Sequence, residues 1–146
     1  MTHRRRVLCL VLAALATSMA VDAQQRSDDN KKPSVAFNLT PPVGFSPLKV
    51  RAVVDLKGGA DDYADFYCAS VEWDWADGTV SGSSEDCDPY EAGKSKIRRR
   101  FTADHTFRQQ GEYEVAVRLK QKSRIVGYGK ATVRVKPGLQ DEDFDR

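Results

Sequence analysis

Strict alternation of apolar and polar side chains constrains this chain more than any other feature. Leu48, Val50, Ala52, Val54 and Leu56 alternate with Lys49, Arg51, Val53 and Asp55. The same period of two recurs in Val71-Glu72-Trp73-Asp74-Trp75, in Tyr113, Val115, Val117 and Leu119, and in Ala131, Val133 and Val135. Successive side chains of a strand point to opposite faces, so each run has one face for a core and one for water. No stretch beyond residue 23 sustains a helical period. The chain is therefore expected to be all-β.

The punctuation between the runs points to antiparallel strands in a sandwich with Greek-key connections. Pro41-Pro42 follows a short strand at Val35–Leu39. Proline lacks a backbone N–H, which restricts that segment to a sheet edge or a kink between sheets. Asp77-Gly78 after Trp75 reads as a two-residue hairpin, since both residue types tolerate positive φ. Gln110-Gly111 opens the Tyr113 strand. The polar interval Ser81–Lys96 is longer than a hairpin loop and stands out.

The N-terminus specifies a compartment. Arg4, Arg5 and Arg6 precede an apolar run from Val7 to Ala16, and Val21-Asp22-Ala23 places small side chains where a signal peptidase reads. This is the pattern of a secretory signal peptide over residues 1–23, with cleavage after Ala23 and Ala20 the alternative. The run is too short to cross a bilayer, which takes about 20 residues. General secretion and twin-arginine export both remain open. The expected destination is the periplasm or the outside of a bacterial cell.

Removing those residues changes the electrostatics. Three arginines and one aspartate leave, so Lys+Arg falls from 23 to 20, Asp+Glu from 21 to 20, and the net charge from +2 to zero. Nucleic-acid binding needs a basic excess, and the mature chain has none. Cys9 leaves as well, and Cys68 and Cys87 remain. An even pair in an oxidising compartment reads as a disulfide. A zinc pair is the competing reading, but zinc takes four ligands and His105 is the single remaining histidine. The 123 residues left from 146 make one domain, expected over 33–137. A disordered polar leader (24–32) and an acidic disordered tail (138–146) flank it.

Two spaced motifs add a resemblance. Trp73-Asp74-Trp75-Ala76-Asp77-Gly78 resembles the W-D-F-G-D-G signature of PKD domains, immunoglobulin-like β-sandwich modules. His105-Thr106-Phe107, followed by Gly111-Glu112-Tyr113-Glu114-Val115, resembles their H-x-Y and G-x-Y-x-V signature. The chain departs from the pattern at Ala76 for glycine, Trp75 for phenylalanine and Phe107 for tyrosine. The cysteine pair and the long polar interval are additions. The resemblance covers 33–137 and implies an immunoglobulin-like sandwich serving as a spacer or contact unit. In physical terms the motif is structural. Trp73 and Trp75 should fill the interior with Val71, Asp77-Gly78 should turn the chain, and Gly111 and Tyr113 should pack on the tryptophans. His105 should tie a corner to neighbouring backbone.

Chemistry is sparse. The chain lacks G-x-S-x-G, P-loop and H-E-x-x-H motifs, and Asp104 beside His105 should face the opposite way. No catalytic residue and no required cofactor is expected. Two further patterns remain as binding candidates. Asp61, Asp62 and Asp65, with Glu85, Asp86 and Asp88, form two acidic clusters that a Cys68–Cys87 bridge could draw together around calcium. Lys94, Lys96, Arg98 and Arg100 would share one face of a strand, a basic stripe for an anionic surface or an edge guard. The function expected is an exported, non-catalytic module contacting an unidentified protein or glycan. The alternative is a calcium-dependent carbohydrate-binding domain, with Tyr63, Phe66, Tyr67 and Tyr90 as an aromatic platform.

Overall fold

The run Leu48–Lys57 forms β3, and its alternation is carried into space: Leu48, Val50, Ala52, Val54 and Leu56 are all buried. The computed structural model describes residues 32–138. The expected signal peptide, the leader up to residue 31 and the tail beyond 138 lie outside the described residues.

β3 is the middle strand of a three-stranded sheet. β1 (Ser34–Thr40) and β6 (Arg100–Phe107) pair antiparallel to it on either side. The second sheet has five strands in the order β2-β8-β7-β4-β5. Its members are β2 (Val43–Phe45), β4 (Ser70–Asp74), β5 (Val80–Ser83), β7 (Gly111–Gln121) and β8 (Arg124–Lys136). The inward faces form one apolar core that includes Val50, Val54, Trp73, Trp75, Phe107, Val115, Val117 and Val133. This is the expected all-β, immunoglobulin-like sandwich. The expectation of wholly antiparallel pairing is corrected at one place, where β2 runs parallel to β8. Pro41-Pro42 carries the chain from β1 in one sheet to β2 in the other, the sheet-switching kink that proline allows.

Two turns differ from expectation. Five residues, Trp75–Thr79, join β4 to β5, so Asp77-Gly78 is not a two-residue hairpin. The Trp75 amide donates to the Thr79 carbonyl at 3.1 Å, and the positive φ values fall at Ala76 (60°) and Gly78 (87°). The tight hairpin is Lys122-Ser123, between the paired residues Gln121 and Arg124. It starts β8 seven residues before the alternation at Ala131. Gly127 and Gly129 interrupt the hydrophobic pattern there for a packing reason. A Cβ at Gly127 would lie 3.0 Å from Val35 and one at Gly129 would lie 2.9 Å from Phe37. Strand β1 therefore lies close against β8, which closes that side of the sandwich.

Candidate functional site

The residues of the two signatures meet at one corner, and they meet across the gap between the sheets. Trp73 and Trp75 project inward from β4 and the turn after it, each 2% exposed or less, with ring centroids 6.1 Å apart. The His105 ring, from β6 in the opposite sheet, stacks on Trp75 at 4.4 Å and 12°. His105 lies within β6 rather than before a strand. Its Nε2 is 2.7 Å from Asp77 Oδ2, so the tie runs to a side chain of the facing sheet and not to neighbouring backbone.

Asp77 is the hub of the turn. Its Oδ1 accepts the Thr79 amide at 3.0 Å and the Thr79 hydroxyl at 2.6 Å. Burial would raise the Asp77 carboxyl, but hydrogen bonds from Thr79 and His105 outweigh it and hold the group below its ordinary value. Asp74 steadies the same turn by accepting the Ala76 amide at 3.3 Å. Trp75 Nε1 donates to Ser81 Oγ at 2.9 Å, so the deeply buried indole keeps its one polar atom satisfied.

The second signature completes the corner. Phe107 sits edge-on to both Trp75 and His105 and stacks on Tyr113 at 4.6 Å. Tyr113 thus packs on Phe107, and the expected contact with the tryptophans is made by Phe107 in its place. The Tyr113 hydroxyl donates back to the Gln109 carbonyl at 3.0 Å, as a tyrosine corner does. A Cβ at Gly111 would meet the Tyr113 ring at 3.2 Å, so glycine makes room for that fold-back. Val115 is fully buried behind it. Asp104 faces the other way, gripped by Arg51 through two bonds of 2.8 and 3.0 Å.

Beside this corner lies a cavity of about 280 Å³, lined by Asp77, Thr79, His105, Thr106, Arg108, Gln109 and Tyr113. Nothing in the sequence singled out Arg108. It belongs to no basic run, and only its place after Phe107 at the end of β6 brings it here.

The disulfide is present, joining Cys68 to Cys87. The acidic side chains it was expected to gather do not converge. Among the described residues no group of three or more acidic, histidine or cysteine side chains converges. Three of the six carboxylates are instead paired with arginines. Asp61 takes the Arg99 fork at 2.5 and 2.8 Å, Asp65 pairs with Arg124 at 2.6 Å, and Glu85 pairs with Arg98. Asp62 accepts the Gly93 amide, while Asp86 and Asp88 point into solvent. The physical reason is that arginine supplies the counter-charge which the clusters were expected to draw from calcium.

The basic stripe is corrected in the same way. Residues 84–99 are irregular, so Lys94, Lys96, Arg98 and Arg100 share no strand face. Lys94 pairs with Glu91 inside a turn at 2.6 Å, Arg98 is taken up by Glu85, and Arg100 grips Asp55 across β3 and β6. Lys96 is exposed. Arg99, placed on the opposing side in sequence, organises the region. Its guanidinium donates to the carbonyls of Leu56, Gly58 and Gly59 as well as to Asp61. The four aromatics pack as two tilted pairs: Tyr63 lies against the buried Phe66 at 47°, and Tyr67 against Tyr90 at 59°, with the Tyr67 and Tyr90 hydroxyls turned onto the carbonyls of Asp88 and Asp62.

The chain is similar in structure to the PKD domain of an M14-like peptidase from Thermoplasmatales archaeon SCGC AB-540-F20. The match covers 73% of this chain and 97% of that one, at 15% identity and a TM-score of 0.45. No family model matches the chain, and no curated protein matches it. No helix among the described residues is long and apolar enough to cross a membrane.

Proposed function

We propose that the chain is an exported, non-catalytic PKD-like module that makes protein–protein or cell-surface contacts. The observation that carries this reading is the use of the signature residues. The pair best suited to chemistry, Asp77 and His105, is employed as a clamp between sheets. One ring face of His105 lies on Trp75, Phe107 stands edge-on to it, and Nε2 already has its carboxylate. A histidine acting as a base holds a nucleophile on the nitrogen opposite its carboxylate, and among the described residues no hydroxyl or thiol bonds the other ring nitrogen of His105. Here the carboxylate supports the fold. The signal-like N-terminus and the disulfide support export, since such bonds persist in oxidising compartments.

Cell fractionation with N-terminal sequencing tests the export half. Recovery outside the cytoplasm with a new N-terminus after Ala23 supports it, and an uncleaved cytoplasmic chain overturns it. In-cell crosslinking of the exported form tests the contact half: a discrete saturable partner supports a contact module, and uncrosslinked monomer throughout overturns it.

A further inference from the structure

Eight arginines lie among the described residues, and seven of them pair with a carboxylate. Arg108 is the exception. Its carbonyl is fixed by a 2.6 Å hydrogen bond from Ser46 Oγ, so the backbone is held while the guanidinium has no partner among the described residues. Arg108 lines the 280 Å³ cavity at the signature corner. Where the other described arginines are all neutralised, a free one at the wall of a cavity marks a place for an external anion.

The rest of the wall narrows the chemistry. Asp77 is the cavity's one carboxylate, and Thr79 and His105 already occupy its oxygens. Thr106 and Gln109 add a hydroxyl and an amide, which can both donate and accept. A guanidinium fork matches a carboxylate through two parallel bonds. The volume is at the small end of ligand pockets, which begin at roughly 300 Å³. That admits one sugar ring.

We propose that this cavity binds a carboxylate-bearing sugar, a uronate unit of an acidic glycan, with Arg108 on the carboxylate and Thr106 and Gln109 on ring hydroxyls. The inference rests on the contact-module reading in one respect, that the site binds its ligand and does not transform it.

The experiment is a titration of the purified full-length chain with methyl glucuronide, methyl glucoside and N-acetylglycine at matched ionic strength. Tryptophan fluorescence follows it, because Trp75 stacks on the His105 of the cavity wall. Ligand-observed NMR is the second readout. Methyl glucuronide is expected to saturate, with the glucoside and N-acetylglycine each about tenfold weaker or more, since each lacks one half of the recognition. Arg108→Ala should remove the glucuronide response and keep the melting temperature, because the side chain supports no contact in the fold, while Arg108→Lys should retain part of the response. Equal binding of glucuronide and glucoside overturns the proposal, as does an unchanged response in Arg108→Ala. N-acetylglycine binding as well as the glucuronide overturns the sugar assignment. A flat titration sinks the site and leaves the contact-module reading standing, whereas hydrolysis of the glucuronide sinks that reading and leaves the site.

Discussion

At the scale of single residues, the corner shows how few side chains carry the sandwich. Trp73 touches Phe37 from the opposite sheet at a centroid distance of 5.9 Å and stacks near Trp75. Truncating a buried aromatic removes its transfer free energy and leaves a cavity. Trp73→Ala should therefore destabilise the domain by about 3–5 kcal/mol, read as a lowered denaturant midpoint with an unchanged slope. Ala76 is the reverse case. It occupies a φ of 60°, left-handed backbone where a side chain is strained, at the signature position for which glycine is the pattern. Ala76→Gly should stabilise by about 0.5–1 kcal/mol, because relief of that strain exceeds the entropy glycine adds to the unfolded chain. A fall in midpoint would show that the turn gains more from the methyl group than the strain costs.

At the scale of elements, the irregular segment 84–99 between β5 and β6 is held by specific polar bonds in place of a sheet ladder. Cys87 ties its start to Cys68, Ile97 plugs its end into the core, and the Ile97 amide donates to the Asp61 carbonyl at 2.8 Å. Arg99 then caps three carbonyls of the β3 exit together with Asp61. Arg99→Ala should cost about 1–3 kcal/mol, since charged hydrogen bonds are lost and the part-buried Leu56 carbonyl is left without that donor. Hydrogen exchange should quicken at Ile97 and Leu56 while β7 stays protected. Uniform quickening across both sheets would show that the segment unfolds with the core and has no separate stability.

At the scale of the whole molecule, cross-strand ion pairs cover both outer faces. Arg51–Asp104 and Arg100–Asp55 span β3 and β6, while Glu72–Lys120 and Glu112–Arg134 span the five-stranded sheet. Each exposed pair contributes little, but together they orient the pH response. Hydrogen bonds from Arg100, Lys120 and Arg51 hold the Asp55, Glu72 and Asp104 carboxyls below their ordinary values, and Asp77 is lowered within its turn. A carboxyl whose folded value is depressed adds stability above its unfolded value, and that stability is lost as pH falls toward the folded one. The denaturant midpoint should thus stay level from pH 7 to about 5 and fall below about pH 4, where unfolded carboxyls begin to take up protons. Asp77→Asn should shallow that acid fall. An acid limb identical to wild type would place the linkage in the exposed pairs alone.

The sequence by itself determined the fold class, the core faces of β3, β4 and β7, and the pairing of Cys68 with Cys87. Period-two burial, signature spacing and cysteine parity are local properties that can be read in one dimension. It also placed Trp73, Trp75 and Val115 in the interior. Tertiary structure alone decided which charges meet. Asp61 and Arg99, Asp65 and Arg124, and Asp55 and Arg100 are each more than 35 residues apart, and sheet register brings them together. An acidic cluster read without its distant arginines looks like a cation site, and a basic run read without its carboxylates looks like a docking stripe. The early start of β8 was hidden for a related reason, because Gly127 and Gly129 answer to β1 in the other sheet and break the pattern of their own strand. Arg108 was invisible for the converse reason. What distinguishes it is the absence of a partner among the described residues, and that shows only beside the seven other described arginines, each of which has one.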